Sequence, residues 1–157
     1  MKMSRYEPEP RFNHCCVAIG KLCYLYGGCC IHEPPSFVEV FDQKMKTWAK
    51  HTLTFEGTVS HSIRRRGACC SLPSGDIYFY GGYCDNLLSN QLFKLMTKSL
   101  EFIKLTPGGE NRPSEQGGCR MVAFHRTKLA LYGGQVYQST RFTISNDFHV
   151  YDTLTGK

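Results

Sequence analysis

The chain has 157 residues, 41% of them hydrophobic, which is enough apolar material for one globular domain with a real core. Its formal net charge of +6 comes from 19 basic residues interspersed with 13 acidic ones, too little for a nucleic-acid footprint on composition alone. No run approaches the roughly 20 apolar residues of a membrane-spanning helix, and the opening MKMSRYEPEPRF lacks the apolar centre of a secretory signal, so the expected compartment is the cytoplasm, with the nucleus second.

Fifteen glycines, nine tyrosines and ten phenylalanines favour short strands joined by turns, because aromatics suit pleated surfaces and glycine accepts φ > 0. The expected class is all-β. The first predicted strand is HCCVAIG from His14, and the second, LCYLYGG (Leu22 to Gly28), is an apolar run closing on Tyr and a glycine pair. A polar loop leads to the alternating strand FVEVFD (Phe37 to Asp42), and KTWAKH then carries Trp48. The pattern restarts with GACCSLPSG from Gly67 and DIYFYGG (Asp76 to Gly82), continues with NQLFKLM (Asn90 to Met96), and ends in LEFIKL, where Phe102 stands at the offset of Trp48. A third pass runs through GGCRMVAFH from Gly117, KLALYGG (Lys128 to Gly134) and NDFHVYD (Asn146 to Asp152). Its counterpart of Trp48 would fall one residue beyond Lys157.

The pairs Gly27-Gly28, Gly81-Gly82 and Gly133-Gly134 therefore recur after 54 and then 52 residues. A period near 50 with strand character is that of a propeller blade. Each unit reads as four antiparallel strands, and blades must stack to bury both sheet faces, with Trp48 and Phe102 as core rings. The units run about 11–55, 64–107 and 113–157, the last without its final strand, and 1–157 forms one propeller segment.

Arg11 to His14 (R-x-x-H), YLYGG and VFDQKMKTW (Val40 to Trp48) resemble the kelch repeat. The first unit matches that pattern best; the second has Met96 for the family's Asp and Phe102 for its Trp. The resemblance implies a kelch-type β-propeller, here a partial ring of about three four-stranded blades, since such rings close with five to seven. Completion is expected from further sequence of a longer protein or from self-association. NDFHVYDTLTGK and EPEPRFNHCCVAIG are most similar to kelch-domain substrate receptors of cullin ubiquitin ligases, which implies cullin ligase subunits as partners. Actin-associated scaffolding is the alternative, and a copper oxidase a remote one.

The chemical motifs are missing: no G-x-S-x-G, H-E-x-x-H or phosphate loop occurs, so no catalytic residue and no enzyme activity are expected. GGENRPSEQGG (Gly108 to Gly118) lacks the lysine and the strand-to-helix setting of a phosphate cradle and reads as a surface loop. Nine cysteines, with the vicinal pairs Cys15-Cys16, Cys29-Cys30 and Cys69-Cys70, show no C-x2-C spacing; they read as reduced thiols, with no metal and no cofactor. Binding is the better expectation, because propellers gather loops from every blade around one funnel. The resemblance implies arginines in such loops, and a guanidinium suits a carboxylate through two parallel hydrogen bonds. Arg11, Arg64, Arg65 and Arg66 precede the first strands of their units, and Tyr83, Asn86, Tyr137 and Arg141 follow the glycine pairs. These are the candidates for a protein or peptide ligand of acidic character. The long third loop, Gln135 to Ser145, is expected to bind as well.

Overall fold

In the computed structural model, which describes residues 6–31, 37–55, 65–84, 86–109, 111–138 and 141–157, all regular structure is strand. Among these residues no helix is long and apolar enough to cross a membrane. The first sheet is a meander of Cys15–Ile19 (β1), Leu22–Tyr26 (β2), Phe37–Asp42 (β3) and Thr47–Thr52 (β4). Thr54–Phe55 (β5) leaves it to lie parallel on the outer edge of the second sheet. That sheet adds Ala68–Ser71 (β6), Ile77–Tyr80 (β7), Leu92–Met96 (β10) and Glu101–Leu105 (β11), with a small hairpin of Tyr83–Cys84 (β8) and Leu87–Leu88 (β9) set into the β7–β10 connection. In the third unit Gln116–Gly117 (β12) precedes Arg120–Ala123 (β13), Lys128–Tyr132 (β14), Gln135–Gln138 (β15), Arg141–Ile144 (β16) and Phe148–Asp152 (β17). Here β13, β14 and β17 form the blade, a three-stranded sheet, and β12, β15 and β16 form another. The segment expected as a long loop is thus largely a hairpin. Its second arm, RFTI, alternates polar with apolar residues, which a pleated ribbon satisfies.

The aspartate that ends the third strand of a unit makes the next turn. Asp42 Oδ1 accepts hydrogen bonds from the backbone N–H groups of Lys44 (2.7 Å) and Met45 (3.0 Å), and Asp152 Oδ1 does so from Leu154 (3.0 Å). Such an Asx turn pre-folds the corner. Met96 cannot do this, and there the backbone closes the turn alone, Leu100 N–H donating to Met96 C=O at 2.8 Å.

Alternation then decides what each sheet buries. Tyr24, Tyr26, Val38 and Val40 of the first sheet meet Ile77, Phe79, Phe93, Leu95 and Phe102 of the second. Phe102 is 1% exposed, with its ring centre 5.1 Å from that of Phe93, 5.2 Å from Tyr26 and 5.5 Å from Phe79. The opposite face of the second sheet places Ala68, Tyr78, Tyr80 and Leu92 against Met121, Leu129 and Leu131 of the third. Three sheets stacked in chain order, each buried by its neighbours, are blades of a partial β-propeller. Trp48, expected in the core, is half-buried. Its ring packs on Phe41 at 5.2 Å, on the face of the first sheet that points away from the second.

Candidate functional site

The loops that lead into the blades and the residues that follow the glycine pairs lie side by side. Phe12 bridges to Cys29, and Arg65 to Tyr83; in the third unit Gly117 pairs with Gln135. This approach needs the second glycine of the pair. A Cβ on Gly82 would stand 2.8 Å from both Arg65 O and Gly67 N, and its φ is +83°, a region costly for other residues. Backbone hydrogen bonds then join blade to blade: Arg66 N–H donates to Asn13 C=O at 2.9 Å, Gly118 N–H to Arg66 C=O at 2.6 Å, and Gly82 N–H to Gln116 C=O at 2.8 Å. Asn13 and Arg66 occupy equivalent places with φ of 57° and 59°. Left-handed backbone at side-chain-bearing residues stores strain, which clusters at functional sites.

Two arginines sit on this ladder in different settings. Arg65 is half-buried; its Nη2 donates to Asn86 Oδ1, and its guanidinium carbon is 5.5 Å from the centre of the Tyr83 ring. The side chain is thereby aimed and its freedom already spent. Arg66 is exposed and stands against the bare backbone of Gly118, where a Cβ would come within 3.4 Å of Nη2. It borders an open recess of about 290 Å³ lined by Gly117, Gly118, Gly134, Gln135 and Ile144. The described residues bounding it include one cation and no carboxylate, so their field favours an anion.

The β15–β16 hairpin continues this surface. Gln135 pairs with Ile144 and Tyr137 with Phe142, which puts all four on one face. Tyr137 and Phe142 are 59% and 49% exposed and meet edge to face at 5.1 Å, so the recess opens onto an aromatic platform. Arg141 pairs with Gln138 and belongs to the reverse face. Phe142 and Ile144 fall within the loop Gln135 to Ser145 expected to bind but were not singled out, and Gly118 was not a candidate; the alternation in RFTI was the available signal.

The remaining candidates lie elsewhere. Arg64 is outside the described residues. Arg11 is withdrawn from solvent: its Nη2 is 2.6 Å from Glu39 Oε2, with side chains 4% and 1% exposed, and its Nη1 donates to Gly27 C=O at 3.3 Å. This contact is a close charge pairing with poor hydrogen-bond direction at Oε2. Glu39 Oε1 accepts from the Tyr6 hydroxyl, whose pKa is pushed up to about 12, by burial first and then by the hydrogen bond and charge of Glu39. Two other concavities are less suited to a ligand. The apolar seam between the second and third blades, floored by Met121, Leu129 and Leu131, holds only about 60 Å³, well below ligand size. A rim groove of about 430 Å³ beside Tyr24, Asp42 and Lys98 is distant from the loop ladder.

The sequence pattern described as the Kelch motif matches residues 10–50. Kelch domain-containing protein 1 of Homo sapiens is 28% identical over 157 residues, an alignment that covers 92% of this chain and 36% of that protein. The protein of the same name from Mus musculus is 26% identical over 177 residues, covering 94% of this chain and 42% of its own length. The chain thus spans less than half the length of these curated relatives. With glycine pairs at a period near 50, aspartate-capped turns and stacked antiparallel blades, this chain carries a Kelch motif at residues 10–50 and is similar to kelch-repeat proteins.

Proposed function

We propose that this segment is a non-catalytic protein-interaction module whose loop-bearing end takes an acidic peptide or chain end. The observation that carries the reading is a pair of adjacent arginines on one loop, Arg65 held by Tyr83 and Asn86, and Arg66 beside a recess with no carboxylate among its described bounding residues. A fixed guanidinium loses little entropy on meeting a carboxylate, and such charge-assisted pairs contribute roughly 1.5–3 kcal/mol. The larger role we assign is substrate recognition for a cullin-type ubiquitin ligase. Similarity to proteins named kelch domain-containing protein 1 supports the interaction part of this reading.

The test is fluorescence anisotropy with acidic peptides carrying either a free or an amidated carboxy terminus. Arg65→Ala and Arg66→Ala are each expected to weaken binding about tenfold or more, and added salt to weaken it further. Equal affinity of both variants and the unaltered chain would overturn the assignment of the site. Co-purification of cullin subunits with the full-length protein tests the ligase role, against co-sedimentation with actin filaments for scaffolding.

A further inference from the structure

Away from the loop ladder, the outward face of the first blade carries a pair of thiols. Cys16 of β1 is opposite Leu25, and Cys23 of β2 is opposite Ala18. The two cysteines are therefore diagonal neighbours on one sheet face, within reach of each other. Their Sγ atoms are 3.2 Å apart, one S–H donating to the other sulfur. Cys16 is exposed and Cys23 half-buried, and both are free thiols. We propose that Cys16 and Cys23 form a reversible redox site, closing a disulfide between β1 and β2 when the chain meets a hydroperoxide and reopening with a small thiol.

The geometry requires little motion. A disulfide has a sulfur separation near 2.05 Å, so the pair must close by about 1.2 Å. Diagonal neighbours sit near the upper limit of disulfide reach, so closure combines side-chain rotation with a small local approach of β1 and β2. The competing thiol contact, Cys15 with Cys69 across the seam of the first and second blades, is shielded, since Cys15 is 4% exposed. Burial first, and then the hydrogen bond to Cys23, keep the proton on Cys16. We assign the first attack to Cys23: its sulfur takes the terminal oxygen of the hydroperoxide, the O–O bond breaks, and the Cys23 proton passes to the departing oxygen, which leaves as water or an alcohol, giving a sulfenic acid. Cys16 sulfur attacks the oxidised sulfur, the S–O bond breaks, and water leaves with the Cys16 proton. Two electrons pass from the thiols to the peroxide, and two equivalents of reducing thiol return them.

The crosslink spans only a short hairpin, so it adds little global stability; its effect is local. Ala18, Cys23, Phe41 and Trp48 lie in one row across the sheet, and Trp48 is the sole tryptophan of the chain, a built-in optical reporter.

The experiment treats the fully reduced chain with a graded series of hydrogen peroxide, quenches in acid, blocks remaining thiols with a maleimide, and maps tryptic peptides without reduction. Cleavage after Arg11, Lys21 and Lys44 leaves Cys16 and Cys23 on two peptides joined only by the new bond, and fragmentation distinguishes Cys16 from Cys15 and Cys23 from Cys29 and Cys30. The expected result is a Cys16–Cys23 link at about tenfold less peroxide than any other oxidation, with a change in Trp48 emission that a reducing thiol reverses. In Cys16→Ser the link is lost and Cys23 becomes trapped as a sulfenic acid by dimedone. Formation of a Cys15–Cys69 link first, or nine blocked thiols at every peroxide level that oxidises free cysteine, would overturn the site.

Discussion

At Gly82 the backbone of one blade is pressed against the loop that leads into it. A methyl group there meets Arg65 O and Gly67 N at 2.8 Å with φ at +83°, whereas at Gly20, φ +59°, nothing lies within 4 Å of the same methyl. Both substitutions carry the left-handed penalty of roughly 1–2 kcal/mol, and only the first adds a collision with immovable backbone. Gly82→Ala should therefore lower stability in urea by at least about 2 kcal/mol more than Gly20→Ala. Equal midpoints would mean that the loop ladder yields easily and cannot aim Arg65. Glycine at this place was legible in the sequence, because only a repeated pair at a fixed period asks for it. The role of Arg11 was not. Its partner Glu39 is distant along the chain and reads, within FVEVFD, as an ordinary alternating position; the ion pair exists only because residues before β1 fold back over the first sheet.

Among the elements, β4 and β11, the fourth strands of the first two units, show how one sequence position takes two fates. Phe102 in β11 is enclosed by Tyr26, Phe79, Phe93 and Phe55, while Trp48 in β4 touches Phe41 on an outward face. Removing a fully buried aromatic costs about 3–5 kcal/mol, part of it for the cavity left behind. Phe102→Ala is expected to cost that much, and Trp48→Ala less than half as much, by equilibrium denaturation; a larger loss at Trp48 would place it in a core of its own. The strands themselves were readable from apolar runs and punctuation, and the bounds Phe37 to Asp42 recur unchanged in β3. The hairpin of β15 and β16 was less so. The eleven-residue stretch Gln135 to Ser145 reads as loop by its position after a glycine pair, and alternation covers only the four residues of RFTI, too few to outweigh that position.

Taken whole, the molecule holds its second and third blades together with a seam that contains titratable groups. Tyr78, Tyr80 and Cys119 belong to this core and Cys70 packs against it. Burial pushes the Cys119 thiol up to about 11, and the Cys70 thiol and the Tyr78 hydroxyl to about 12; Tyr80 is also raised, again by burial first. The ordinary values are 9.0 for the thiols and 10.0 for the phenols. Above pH 9 the unfolded chain releases protons that the folded chain retains, so folding weakens as pH rises. Full stability is expected below pH 9, followed by a decline through about 11 to 12 as the folded thiols and phenols themselves ionise. Urea midpoints at pH 8, 9.5 and 10.5 measure it. The decline should be shallower in a Cys70→Ala, Cys119→Ala double variant, whatever that variant loses at pH 8, because the steepness counts protons and not contacts. A decline of the same slope in the variant would place the alkaline weakness outside the thiols of this seam. A shallower one assigns that share of the alkaline weakness to the two thiols at the joint between the second and third blades.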